Sequence, residues 1–264
     1  MDSATRSHFY SAIERTPIID EPFPYLNATN VFPSEFYARL QGSLPSIDHY
    51  KQYNARFSER YALDLTGSSV KGLGEVSPFW VEFEAWLNSS ELMNVMMRKF
   101  GDRMKICYTE RSKFLNEAKT PDGITISPQS LLCRDFSNFA IDPHTDAGPK
   151  LVVGIFYFPK DESLIEFGTS LYTAKDPTLR DFYKSTRFDR AGFDLHKTFE
   201  NRPNSFVAFL KTDQSFHGVE ERPYSNVGRD VLFWIPRIGK AKTAETSFTL
   251  PASIFTPERE AAVA

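Results

Sequence analysis

Lys150-Leu151-Val152-Val153-Gly154-Ile155-Phe156-Tyr157-Phe158-Pro159 is the stretch whose reading decides the fold. It is almost wholly apolar, rich in β-branched and aromatic residues, and set between prolines. A run of this length and composition reads as a central strand covered on both faces. Similar short runs recur on either side of it, at 128–139, 168–174, 204–211, 215–221 and 228–237, separated by Gly, Pro, Asn and Asp. That recurrence predicts a β sandwich or barrel from about residue 125 onward.

Upstream of residue 120 the periodicity is helical. Residues 1 to about 20 predict a short helix or arm, and Pro22–Leu26 an extended segment. Phe32–Leu40 predicts a helix opened by Pro33 and Ser34. Phe79, Trp80, Phe83, Trp86 and Leu87 recur at helical spacing, and Leu92, Val95, Met96 and Phe100 follow in a second helix. Residues 46–76 predict irregular structure, and 101–118 are ambiguous between helix and strand. Residues 174–203 form a charged insert, with weak helical periodicity at best, expected near the mouth of any site in the β core. Helices first and strands second predict an α+β chain with a mainly β core: one domain over 1–264, helices over 1–120 buttressing a core over 125–240.

The chain has 264 residues, 41% hydrophobic and 25% charged, with a net charge of -3. That balance argues against a dedicated nucleic-acid binder, which usually shows a basic face. No stretch approaches the ~18 apolar residues of a membrane span. Met1–Asp20 holds no apolar run of the signal-peptide kind. Cys107 and Cys133 sit in apolar surroundings and read as free thiols. The expectation is a cytoplasmic protein with a small-molecule substrate and neither a nucleic-acid nor a membrane partner. The sequence is silent on oligomeric state.

Just before the central strand stands Asp142-Pro143-His144-Thr145-Asp146-Ala147-Gly148. In an extended segment residues i and i+2 face the same side, so His144 and Asp146 aim at one point. An imidazole and a carboxylate, joined by one more imidazole, make the facial triad that suits non-haem Fe(II). A lone His-x-Asp also arises as a solvated turn. His217, in Ser215-Phe216-His217-Gly218-Val219, is a second imidazole on a strand, where a core histidine is the ordinary alternative. Arg229 heads the apolar run Asp230–Pro236, where a guanidinium can bind a carboxylate in bidentate fashion.

The ordered set His144-Thr145-Asp146, His217 and Arg229 resembles the Fe(II)/2-oxoglutarate-dependent dioxygenases. The likeness is to their prolyl-hydroxylase-like branch. Pro143, Arg134 and the run Ser205–Phe209 add to the resemblance, which covers about residues 125–240. It implies a double-stranded β-helix, a jelly-roll or cupin-like barrel. It implies His144, Asp146 and His217 as Fe(II) ligands and Arg229 as partner of the far carboxylate of 2-oxoglutarate. It further implies O2 as co-substrate, hydroxylation of an unactivated C–H, and release of succinate and CO2. Related halogenases lack the carboxylate that Asp146 supplies, so hydroxylation is expected over chlorination.

Arg134, Asn138, Tyr157 and Tyr172 are the candidates for further 2-oxoglutarate contacts. The stretch Arg134–Asn138 lacks the Arg-Tyr or Tyr-x-x-Gly pattern frequent in the branch, and Ile141 stands where an aromatic is frequent. Arg56, Arg187, Arg190 and His196 are candidates for an acidic group on the substrate. Arg60, Arg180 and Lys184 belong to the same charged loops, and a solvated surface is the plain alternative. Two other function classes stay open. A cupin-like isomerase or sugar-binding module usually carries more histidine ligands and needs no carboxylate-binding arginine. An inactive barrel acting in protein interaction needs no metal.

Overall fold

The computed structural model describes residues 1–53, 59–65, 77–106, 112–136, 139–181, 184–221, 228–239 and 247–255. The central stretch forms β7 (Val152–Tyr157), every residue of it buried. It pairs on one side with β10 (Ser205–Leu210) and on the other with β12 (Arg229–Ile238). The main sheet continues outward through β1 (Tyr25–Thr29) at one edge. At the other lie β5 (Gly123–Asp135), β3 (Arg60–Asp64) and β2 (Lys51–Gln52), with β4 (Lys119–Thr120) and β13 (Phe248–Leu250) also on β5. A second sheet has the order β6 (Ile141–His144), β11 (His217–Val219), β8 (Ser170–Ala174), β9 (Phe193–Thr198). Every ladder between these strands is antiparallel.

The two-residue period of a strand sorts the main sheet into two faces. Val152, Phe156, Phe206, Ala208, Leu232 and Trp234 point to the helical side. Val153, Ile155, Tyr157, Val207, Phe209, Val231 and Cys133 point the other way and pack with Leu171 of the second sheet. The apolar run of β7 is therefore a strand between two cores. Gly154 is required there: a Cβ would lie 2.9 Å from the Phe206 ring.

The helical side is covered by α1 (Ser3–Arg15), α2 (Ser34–Gly42), α3 (Pro78–Leu87) and α4 (Ser90–Phe100). The Asp2 side chain caps α1 by accepting from Thr5 N at 2.7 Å, and Ser89 caps α4 by accepting from Leu92 N. Pro33 precedes α2, as read from the sequence, and Pro78 opens α3. Phe9 of α1 meets Phe32, Trp86, Phe156 and Phe206, with centroids 5.0–5.7 Å away. Burying each such ring contributes about 1.5–3 kcal/mol. Trp234 Nε1 donates to Leu87 O at 2.7 Å and docks the end of α3 onto the sheet.

Two expectations need correction. Within 46–76, taken as irregular, Arg60–Asp64 is a strand paired with β5, Arg60 opposite Asp135. Within 174–203, taken as weakly helical at best, β9 is the edge of the second sheet. Four consecutive residues of β9, Asp194 to Lys197, are exposed, so no alternation announces it. In the ambiguous segment 101–118, helices form over Arg103–Ile106 and Ser112–Glu117. Among the described residues no helix is long and apolar enough to cross a membrane. Cys133 is a buried free thiol, pushed up to about 12 by burial; Cys107 lies outside the described residues.

Candidate metal centre and the cavity around it

His144 ends β6 and His217 begins β11, and the antiparallel register sets them directly opposite each other. Their ring centroids are 4.4 Å apart. The ladder then shifts by a bulge before Val219 pairs with Ile141. Gly218 lies at this shift because the strands approach closely: a Cβ there would be 2.3 Å from Ile141 O.

Thr145 turns away from the imidazoles. Its hydroxyl donates to Asp181 O at 2.7 Å and accepts from Lys211 Nζ at 3.1 Å. Asp146 comes back to the His144 side. Potential ligand atoms of His144, Asp146 and His217 all lie within 4.8 Å of one another, and all three residues are buried.

Each imidazole is fixed by the carbonyl two residues before it. His144 Nδ1 lies 3.0 Å from Asp142 O, and His217 Nδ1 lies 2.9 Å from Ser215 O. A carbonyl only accepts, so each Nδ1 carries the hydrogen and each Nε2 keeps its lone pair. Burial and the neighbouring His217 push His144 well below the ordinary histidine range. Burial likewise lowers His217, against the pull of Asp146. Burial alone would raise Asp146, but Lys150 and the two histidines outweigh it and hold the carboxyl well below its ordinary range. The centre at neutral pH is two neutral imidazoles and one carboxylate. Asp146 Oδ2 is buried with no hydrogen-bond donor, 3.4 Å from His217 Nε2. Two nitrogen lone pairs and an orphaned carboxylate oxygen are a donor set that fits a divalent transition metal with positions left open.

The triad lines a cavity of about 330 Å³. Val153, Ile155 and Phe233 contribute its apolar lining. Arg229 lines it too and is 1% exposed. Arg229 Nη1 donates to Asp135 Oδ2 at 2.9 Å, and its Nε has no partner. Arg60 grips the same carboxylate in bidentate fashion, Nε to Oδ1 at 2.6 Å and Nη2 to Oδ2 at 2.8 Å. One fully buried carboxylate thus holds two guanidiniums side by side, both on the cavity lining.

The other sequence-derived candidates divide. Arg187 lines the cavity. Tyr157 lies behind it, with its ring 5.6 Å from the Arg229 guanidinium and its hydroxyl donating to Thr169 Oγ1 at 2.8 Å. Arg134 does not reach the cavity. It points to the helical face and pairs with Asp230 at 2.7 Å, because it alternates with Cys133 and Asp135 along β5. Arg190 and Tyr172 also lie outside the lining. Arg190 donates to Val219 O and Ile141 O and pairs with Asp142 and Glu220, so it clamps the bulge between β6 and β11. The Tyr172 hydroxyl hydrogen-bonds to Glu220 in the same cluster. His196 is exposed on β9. Asn138 and Arg56 lie outside the described residues.

Lys150, Arg237 and Asp135 were not among the candidates. Arg237 shares the strand parity of Arg229, and Lys150 stands four residues after Asp146; both signals were present in the sequence. Asp135 was recognisable only through its register with Arg60 and Arg229.

No family model matches the chain, and no curated protein matches it. Solved structures do resemble it. A prolyl-4-hydroxylase from Pseudomonas putida aligns with 8% identity over 87% of this chain and 98% of its own, at a TM-score of 0.47. The non-haem α-ketoglutarate-dependent carbocyclase SnoK of nogalamycin biosynthesis aligns with 10% identity over 95% and 87%, also at 0.47. HygX from Streptomyces hygroscopicus, solved with nickel, 2-oxoglutarate and hygromycin B, aligns with 12% identity over 93% of each chain, at 0.44. The structures that resemble this chain thus include 2-oxoglutarate-dependent enzymes of more than one reaction type.

Proposed function

We propose that this chain is an Fe(II)- and 2-oxoglutarate-dependent oxygenase built on a double-stranded β-helix, hydroxylating an unactivated C–H of a small molecule. One observation carries the reading. Two imidazole nitrogens and the orphaned oxygen of Asp146 converge in a cavity that Arg229 also lines. His144, Asp146 and His217 would hold the iron, and Arg229 would bind the far carboxylate of 2-oxoglutarate. With iron bound, 2-oxoglutarate and O2 supply an oxidant strong enough for an unactivated C–H, with succinate and CO2 released. The chain's own part is positioning. Asp135 orients Arg229, the backbone carbonyls fix both imidazoles, and Val153, Ile155 and Phe233 supply apolar wall to the same cavity.

The experiment is succinate release from 2-oxoglutarate with Fe(II), run across a panel of small molecules. The reading expects iron-dependent release that Asp146→Ala abolishes. Stoichiometric iron binding without 2-oxoglutarate binding would leave a cupin-like metal protein. Absence of metal binding would leave an inactive barrel.

A further inference from the structure

The charge of the cavity reaches beyond what a metal and its co-substrate require. Among the described residues five cationic side chains line it: Arg60, Lys150, Arg187, Arg229 and Arg237. Two carboxylates answer them. Asp135 is shared by Arg60 and Arg229, and Asp146 pairs with Lys150. Five cations against two carboxylates leave an excess of three. A divalent metal and dianionic 2-oxoglutarate cancel each other, so on the oxygenase reading the excess remains after both have bound.

One of the three belongs to the Arg60 and Arg229 pair that shares Asp135, and the other two fall on Arg187 and Arg237. Neither Arg187 nor Arg237 forms an ion pair with a described residue: Asp146 and Asp142 act on Arg187 only from beyond ion-pair distance, and Arg237 Nη1 donates to Gln129 Oε1 at 3.4 Å. The described residues on either side of Arg187 are anchored. The buried Asp181 carboxylate accepts from Lys184 N and Thr186 N, at 3.1 and 2.7 Å. Phe188 N donates to Pro143 O at 2.9 Å, directly before the first imidazole. The loop is thereby fastened to the metal-ligand segment. A guanidinium held on a cavity wall with no carboxylate hydrogen-bonded to it can receive an oxyanion.

We propose that the substrate is itself an anion, a small molecule bearing a carboxylate or phosphate that Arg187 and Arg237 receive while 2-oxoglutarate occupies Arg229. This rests on the oxygenase reading and names its substrate class. The test is calorimetric titration of malonate and of inorganic phosphate into anaerobic protein loaded with Fe(II) and 2-oxoglutarate, at low ionic strength. The expected result is one saturable site for at least one probe. Arg187→Gln and Arg237→Gln should each weaken it by about tenfold, with 2-oxoglutarate affinity within about twofold of wild type. Tighter malonate marks a carboxylate substrate, and tighter phosphate a phosphorylated one. Absence of saturable binding to the loaded protein, or binding unchanged in both variants, overturns the proposal. Probes that bind only when 2-oxoglutarate is absent, and compete with it, also overturn it while leaving the oxygenase reading intact. Failure of 2-oxoglutarate to bind, with an Arg187- and Arg237-dependent anion site present, removes the oxygenase reading and keeps the site.

Discussion

Lys150 Nζ lies 2.5 Å from Asp146 Oδ1, and this leaves Oδ2 as a buried oxygen facing the imidazoles with no donor of its own. The ammonium fixes the carboxylate rotation in the way outer partners commonly orient metal ligands. Removing it should loosen the metal without touching a ligand. Lys150→Met is expected to weaken divalent-metal binding by about tenfold, read by competition against a chelator. Unchanged or tighter binding would make the ammonium a competitor for the carboxylate instead of its holder.

Asp135 is the second position where one carboxylate organises the site. It is fully buried between Arg60 and Arg229, and its loss strands two guanidiniums in the main sheet. Breaking a buried pair from one side costs about 3–5 kcal/mol, because the remaining charge is left uncompensated. Asp135→Asn should therefore lower unfolding stability by about 3 kcal/mol in urea titration. It should also weaken 2-oxoglutarate binding, because Arg229 loses the contact that aims it. Wild-type stability in this variant would mean that Arg60 and Arg229 find other partners.

The register of the site explains what the sequence could and could not disclose. His144 and Asp146 share a side because the residue between them is committed elsewhere, and i, i+2 parity captures that. His217 is opposite His144 only through strand pairing across a long separation, which parity cannot supply; a motif resemblance brought it in. Arg134 shows the opposite failure. Its place near the motif suggested a site residue, yet it alternates with Asp135 along β5 and so faces the helices. Strand β9 stayed hidden because an exposed edge strand has no apolar period to read. Arg60 was noted among the charged loops, but its strand stayed hidden because it lies in a stretch of polar and turn-forming residues.

Arg190 carries its own expectation. Its guanidinium closes the carbonyls of Ile141 and Val219 at the bulge beside His144 and His217, and ties Asp142 to Glu220. This makes it a structural clamp. Arg190→Met should cost about 1–3 kcal/mol of stability through the unpaired carbonyls and carboxylates. Anion binding to the loaded protein should stay at the wild-type level. A selective loss of substrate or anion affinity at unchanged stability would return Arg190 to the substrate site.

Lys211 sets a pH dependence that can be read without any ligand. The ammonium donates to Thr145 Oγ1, Asp181 O and Thr212 O, so it fastens the ligand segment to the Arg187 loop. Burial is the main cause that lowers it to about 8, against the pull of Asp146 and Asp181. In the unfolded chain the same group titrates near 10.4. Between those values the unfolded chain binds the proton and the folded chain does not, so this group makes stability rise with pH across about 8 to 10. The gap corresponds to at most about 3 kcal/mol. Other groups titrate in the same window, so the measurement is a difference between proteins. Unfolding free energy of wild type and Lys211→Met, compared from pH 7 to pH 10, should show a steeper upward slope, or a shallower fall, in wild type. Parallel curves would mean that Lys211 keeps its proton throughout, held by its three oxygen acceptors.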